Sequence, residues 1–278
     1  MDLSIVIVSW NVKEKLRTNL KALYQSEGNF KSEIFVVDNN SQDGSADMIR
    51  KEFPQVKLIA NSENFGFSRA NNQALRLASG RFILLLNPDM RVFENSLAQI
   101  LTWAGNNEQA TVSGCRLLNE KQEIVKQIRK FPRLLDQLLI VLKLPHLFPG
   151  LLNKYLCSRF NYDVPSRVDS IRGAFFLINR AAYQKISGQE VPYLDERYFI
   201  WFEEVDFCRQ VYKLGGEVWY TPAAECLDYV GQSFKQVSRL KTQDYFRDSM
   251  LKYFKKWERP WKARVLAGAW RLVILLLK

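Results

Sequence analysis

A single histidine, His146, occurs in the 278-residue sequence, and it lies in an apolar Leu-Pro-rich stretch. Ser-His-Asp hydrolysis, histidine-rich metal sites and histidine proton shuttles would all rest on that one residue. The four cysteines, Cys115, Cys157, Cys208 and Cys226, form no CxxC pair. Their scatter argues against a disulfide scaffold or a thiolate zinc site and fits a reducing compartment. No GxGxxG follows the first apolar run and no GxxxxGK[ST] occurs, so the dinucleotide and P-loop readings fail. Internal repeats and low-complexity segments are missing too. Met1-Asp2 leads directly into LSIVIV, without a basic n-region or a small-residue cleavage site, so a signal peptide is not expected.

What is present is an ordinary globular composition, 47% hydrophobic and 25% charged, which excludes disordered and collagenous classes. The length suits one large α/β domain or two small ones. The net charge of +11 is unevenly placed. Residues 1–110 carry 12 basic and 12 acidic side chains, residues 111–234 carry 16 and 14, and residues 235–278 carry 12 and 3. A tail of net +9 favours an anionic partner, either nucleic acid or a membrane leaflet. From Trp257 it reads WERPWKARVLAGAWRLVILLLK, and aromatic and basic residues beside an aliphatic cluster suit an interfacial helix. The closing apolar run is shorter than the roughly 20 residues that span a bilayer. The other reading is a C-terminal helix packed on the domain with a solvated basic face. Leu134–Leu156 is a second Leu-rich stretch, read as an amphipathic helical pair that either touches lipid or packs in the core.

Apolar runs alternate with helical patterns through the first hundred residues. Strands are expected at Leu3–Val8, Ile34–Val37, Val56–Ala60 and Phe82–Leu86, and helices at 13–25, 45–53 and 67–79. Non-alternating strands separated by helices describe a parallel sheet buried on both faces. Polar clusters follow each strand: Ser9-Trp10-Asn11, Asp38-Asn39-Asn40, Asn61–Asn64 and Asn87–Asp89. The carboxyl ends of such strands form a ligand crevice. A further strand is expected at Arg172–Asn179 and a helix from Glu203 to Val211.

Three acidic features follow. Asp38 suits recognition of a polar base or sugar edge, whereas Asp43 or Ser45 suits the capping role in DNNSQDGS. Asp89, directly after a buried strand, is a reasonable ligand for a cation carried by a diphosphate. Glu203, Glu204 and Asp206 crowd three carboxylates behind aromatic residues. Such a group needs a cationic partner, or one member with a raised pKa acting as a base, although acids also favour a helix N-terminus.

Taken together, IVIVSWN at 5–11, VVDNNSQDGS at 36–45, NFGFSRANNQA at 64–74, LLLNPDM at 84–90, RGAFFLINR at 172–180 and DERYFIWFEEVDFCRQ at 195–210 resemble family 2 glycosyltransferases of GT-A fold. The nearest branch is rhamnosyltransferase-like and builds bacterial surface polysaccharides. The resemblance implies an α/β fold with a mostly parallel central sheet flanked by helices. Residues 1–234 would be the transferase domain, with 1–110 binding the nucleotide sugar and 111–234 holding the acceptor and catalytic residues. Residues 235–278 would be a basic, amphipathic helical tail. Ser9 and Asp38 resemble base and ribose contacts, with Asn11 nearby, and Asn64 and Arg69 resemble a base and diphosphate clamp. Asn87 and Asp89 stand in the family's DxD-type motif, which makes Asp89 a metal ligand. The family's Glu-Asp pair appears as Glu203-Glu204, with Glu204 at the position of the base and the choice between the two open. Asp228 stands where the family often has a histidine three residues before Gly-x-Ser, so it is a second candidate ligand for Mg²⁺ or Mn²⁺.

The implied reaction is an inverting transfer from a dTDP-, UDP- or GDP-linked sugar, with rhamnose a candidate, to a glycan or polyprenyl-linked acceptor. Trp201 and Tyr198 would stack on a sugar face, Phe199 and Phe202 would be core, and Gly173 would let a substrate approach the backbone. A cytoplasmic protein adsorbed on the inner face of the membrane is expected. Two rivals are a nucleotide-sugar-binding protein with impaired catalysis, and a basic nucleic-acid-binding protein. The second is not expected, because residues 1–110 are neutral and carry no nucleic-acid module.

Overall fold

The computed structural model describes residues 1–146, 148–229 and 238–276. Leu147, the Gly-x-Ser stretch at 231–233 and the final residues 277–278, all within segments read above, lie outside them. The described residues form a nine-stranded sheet flanked by helices. The amino-terminal half runs β1 (Leu3–Ser9), α1 (Lys13–Tyr24), β2 (Ser32–Asp38), α2 (Ser45–Glu52), β3 (Lys57–Ala60), α3 (Phe67–Leu75) and β4 (Phe82–Leu86). These four strands pair in parallel, in the order β3-β2-β1-β4. The helix expected at 67–79 stops at Leu75.

β5 (Met90–Val92), α4 (Ser96–Asn106), β6 (Ala110–Leu118), α5 (Leu134–Val141), β7 (Ser166–Arg167), β8 (Phe175–Asn179), α6 (Arg180–Ser187), α7 (Glu203–Lys213) and β9 (Glu217–Asp228) complete the body. The sheet continues β4-β8-β6-β9-β5, with β7 also on β9. β8 runs antiparallel to both β4 and β6, and β5 and β7 antiparallel to β9. This half of the sheet is therefore mixed, in contrast to the parallel first half. The strand expected from Arg172 begins at Phe175, because Arg172–Ala174 leave the ladder to line a cavity. In the Leu134–Leu156 stretch only α5 is α-helical, followed by short 3-10 turns at Leu144–His146 and Pro149–Leu152.

Both faces of the sheet are covered. Ile5, Ile7, Leu84 and Leu86 pack with α1, α2 and α4, whereas Val6, Val8, Ile83 and Leu85 pack on the other side with α3, α6 and α7. The period-2 alternation of a strand thus delivers apolar residues to two cores. A third cluster explains the C-terminal segment. α8 (Arg239–Trp257) and α9 (Pro260–Leu276) bury Met250, Tyr253, Phe254, Ala263, Leu266 and Trp270 against Val141 of α5 and against Tyr198 and Phe202. The tail is helical and packed on the body through one of its faces.

Candidate active site

The carboxyl ends of β1, β2 and β4 open into one cavity of about 680 Å³. Trp10, Asn39 and Asn87–Asp89 come from these strand ends, and Asn64, Gly66 and Phe67 from the start of α3. Arg172, Gly173, Trp201, Glu203 and Glu204 form the opposite wall. The first turns of α8 close a third side with Ser238, Lys241, Thr242 and Tyr245.

Ser9 and Asp38 are opposite one another in the β1–β2 ladder, and both are buried. Ser9 Oγ and Asp38 Oδ1 have no hydrogen-bond partner among the described residues, while Asp38 Oδ2 accepts from the Ser41 N–H at 3.0 Å. Buried polar atoms without partners are costly, but neither residue lines the cavity, which their neighbours Val8, Trp10 and Asn39 do. Asn11 is held by the loop instead: its Oδ1 accepts from the Gln42 N–H at 2.6 Å, and its own N–H donates to Ser41 Oγ at 2.9 Å. Asp43 takes the capping role, accepting from the Lys13 and Ser45 N–H groups at 2.8 and 3.0 Å.

Asn64 lines the cavity and accepts from the Gly66 N–H at 2.9 Å. Gly66 has φ 81°, and a Cβ there would stand 2.5 Å from the Phe199 carbonyl oxygen, so only glycine lets the two loops meet. Arg69 departs from its expected place in a diphosphate clamp. One turn into α3, its guanidinium sits 4.3 Å from the Phe65 ring centroid, and it does not line the cavity. The cations that do are Arg172 and Lys241. Arg172 was legible as a charge beside Gly173 at the head of an apolar strand. No motif marks Lys241, which arrives from a helix 37 positions beyond Glu204.

Trp201 and Phe202, with φ 64° and 68°, turn the chain into α7. Two consecutive bulky residues in the left-handed region store strain of about 1–3 kcal/mol each, and this turn delivers Glu203 and Glu204 to the cavity. Oε2 of each glutamate lacks a hydrogen-bond partner among the described residues. Burial raises both carboxyls above the ordinary 4.5, and the Glu204 charge raises Glu203 further, whereas the Arg172 charge pulls Glu204 back down. The two carboxyls titrate as a pair, and the Arg172 charge favours the anion on Glu204. A Cβ on Gly173 would touch Glu204 Cβ at 3.4 Å, an ordinary contact, so Gly173 lies against the stem of that side chain in the cavity wall. Trp201 faces the cavity, but Tyr198 is buried and its hydroxyl donates to Asp206 at 3.2 Å. Phe199 reverses its expected core role: it lines the cavity, stacked on Tyr245 with centroids 4.6 Å apart. Phe202 is core as expected.

Asp89 is 5% exposed and lines the cavity just beyond β4. Its carbonyl accepts from the Tyr229 N–H at 3.2 Å, and Met90 pairs with Asp228, so the two aspartates flank one ladder. Asp228 is buried and accepts from Arg172 Nη1 at 2.6 Å. The Asp228 carboxylate, expected as a metal ligand, thus has the Arg172 guanidinium on it. No group of three or more His, Cys, Asp or Glu able to hold a metal occurs among the described residues. The donor set fits a hard cation that takes one carboxylate from the protein and its other oxygens from a diphosphate and water.

Residues 4–186 match the family model of Glycosyl transferase family 2. The uncharacterized glycosyltransferase YfnE of Bacillus subtilis is 32% identical over 117 residues, 41% of this chain and 30% of that protein. The chain thus spans under a third of that relative. Rhamnosyltransferase WbbL of Escherichia coli is 23% identical over 233 residues, covering 81% of this chain and 82% of WbbL. The N-acetylglucosaminyl-diphospho-decaprenol L-rhamnosyltransferase of Mycobacterium tuberculosis is 24% identical over 214 residues, 72% of this chain and 67% of that one. Among solved structures, the mannosyltransferase PcManGT of Pyrobaculum calidifontis, in complex with GDP-Man and Mn²⁺, superposes with a TM-score of 0.61 at 16% identity. That match covers 98% of this chain and 69% of PcManGT.

Proposed function

This chain belongs to glycosyl transferase family 2, and we propose that it moves a sugar, rhamnose being the first candidate, from a nucleotide diphospho-sugar to a hydroxyl of a lipid-linked glycan in polysaccharide synthesis. The observation that carries the reading is the pair Glu203 and Glu204, with partnerless carboxyl oxygens, opening into the same cavity as Asp89 and the strand ends. The rhamnosyltransferase names of two relatives support the sugar, and the diphospho-decaprenol in one of them supports the acceptor class.

In this mechanism Ser9 and Asp38 hold the nucleoside, and Asn64 and Asn87 position the donor. Glu204, whose anion the Arg172 charge favours, takes the proton of the acceptor hydroxyl. The acceptor oxygen attacks the anomeric carbon opposite the leaving diphosphate, which inverts the configuration. Trp201 offers its face to a sugar, and Gly173, without a side chain, lets it approach the backbone. Asp89 would hold Mg²⁺ or Mn²⁺, which would supply positive charge to offset the diphosphate.

The second part of the proposal is attachment to an anionic membrane surface. α9 contains no acidic residue. Opposite its buried face, Trp261, Val265, Leu272 and Leu275 are exposed in one helical stripe, with Arg264 and Arg271 alongside. Apolar residues flanked by arginines on an acid-free helix suit a headgroup layer. No helix among the described residues is long and apolar enough to cross a membrane, so this attachment would be peripheral.

The test is a donor panel of dTDP-, UDP- and GDP-sugars with Mg²⁺ or Mn²⁺, read by thermal shift and by nucleoside diphosphate release. One donor that both stabilises the protein and is slowly hydrolysed is expected. Binding with equal hydrolysis by wild type and Glu204→Gln would favour the impaired-catalysis rival, and no binding would end the reading.

A further inference from the structure

We propose that Arg172 is a catalytic residue that gives its guanidinium to the departing diphosphate, and that Asp228 positions it. The inference rests on the transferase reading above. Arg172 lines the cavity with its side chain 35% exposed, whereas the Asp228 side chain bonded to it is 2% exposed. The 2.6 Å bond from Nη1 is the only hydrogen bond of Arg172 among the described residues. The other N–H donors of the fork remain for the cavity, in a planar array that matches phosphate oxygens.

Asp228 is a fixed anchor. It ends β9 opposite Met90, and the next N–H is bound to the Asp89 carbonyl. The anchor thus draws Arg172 from the head of β8 towards the strand end that carries Asp89. The cavity also needs the cation. Asp89, Glu203 and Glu204 already line it, and a diphosphate adds further negative charge at the moment of transfer. In the transfer step the acceptor oxygen bonds to the anomeric carbon. The bond from that carbon to the diphosphate breaks, its electron pair stays on the diphosphate oxygen, and the acceptor proton goes to Glu204. Arg172 donates to the oxygens that gain this charge, a preorganised stabilisation that needs no movement of the protein.

The test is calorimetric titration of UDP, dTDP and GDP, each paired with its monophosphate, against wild type, Arg172→Ala, Arg172→Lys and Asp228→Asn, with and without Mn²⁺. The diphosphate that binds wild type should bind Arg172→Ala about ten- to a hundredfold more weakly. Its monophosphate should bind both equally, which also reports an intact fold. Arg172→Lys should recover only part of the loss, because an ammonium lacks the fork. Asp228→Asn should weaken diphosphate binding even without Mn²⁺, and should add little to Arg172→Ala in the double variant. Wild-type diphosphate affinity in Arg172→Ala would overturn the proposal, as would an Asp228→Asn defect confined to Mn²⁺-dependent binding. If no diphosphate binds wild type, the transferase reading itself fails.

Discussion

Lys256 Nζ lies 2.7 Å from Asp206 Oδ2, and Asp206 is completely buried. Trp257 Nε1 and Gln210 Nε2 each donate to the same carboxylate at 2.6 Å, and Lys256 also reaches Asp195 at 2.9 Å. α8 is thereby fastened to both ends of the segment 195–206, whose left-handed turn presents Glu203 and Glu204. Burial opposes ionisation of Asp195, but Arg197 and Lys256 outweigh it and hold the carboxyl well below its usual range.

Lys256→Met leaves Asp206 buried with one cation fewer, and a loss of about 3–5 kcal/mol in unfolding free energy is expected. Asp206→Asn combined with Lys256→Met should recover part of that loss, because both charges then leave together. Denaturant unfolding of the three variants checks this; simple additivity would mean that the two groups are not coupled.

Glu204→Gln should lower sugar transfer about 10²–10⁴-fold while leaving donor binding near wild type. Glu203→Gln should cost less. A larger loss from Glu203→Gln would make Glu203 the base.

The acid limb of activity follows from the direction of the shifts. Glu204 accepts a proton only when ionised and its pKa is raised by burial, so kcat/KM should climb with pH through a value above 4.5. Stability runs the other way. A carboxyl whose folded pKa lies above its unfolded one stabilises the fold below the unfolded value, and that contribution is lost as pH rises through the folded one. Glu203→Gln should therefore raise Tm at pH 8, with the gain vanishing below about pH 4.5. Thermal melts across that range give the answer, and a Glu203→Gln variant less stable at pH 8 would contradict the raised pKa.

Asp89→Asn should weaken donor binding in the presence of Mn²⁺ and have little effect in its absence, because a neutral amide is a poorer ligand for a hard cation. Equal loss with and without metal would assign Asp89 to the donor directly.

Deleting residues 257–278 would remove Ala263, Leu266 and Trp270 from a core cluster, so loss of vesicle binding after truncation could simply report unfolding. Trp261→Ser with Leu272→Ser touches only the exposed stripe. Those changes should release the protein from vesicles containing phosphatidylserine with Tm unchanged, and retained binding would remove the membrane proposal.

Much of the sheet could be read before any coordinates. Phe82–Leu86 is a strand at both ends as expected, and Leu3–Ser9 extends one residue beyond the expected run, because continuous β-branched and leucine runs fit a strand covered on both faces. Glu203, Glu204 and Asp89 likewise announce themselves, as carboxylates at strand and helix ends. Arg69 does not follow its motif, since its partner is the nearby Phe65 ring, and an i,i+4 contact of that kind competes with any ligand.

The sequence by itself determined the strand–helix alternation, the polar strand ends and the uneven charge, all local properties of neighbouring residues. Tertiary structure alone decided that Arg172 meets Asp228 across 56 positions, that α8 walls the cavity, and which face of α9 is left exposed. These depend on strand order and helix docking, where residues far apart in the chain are brought within bonding distance by burial of the surfaces between them.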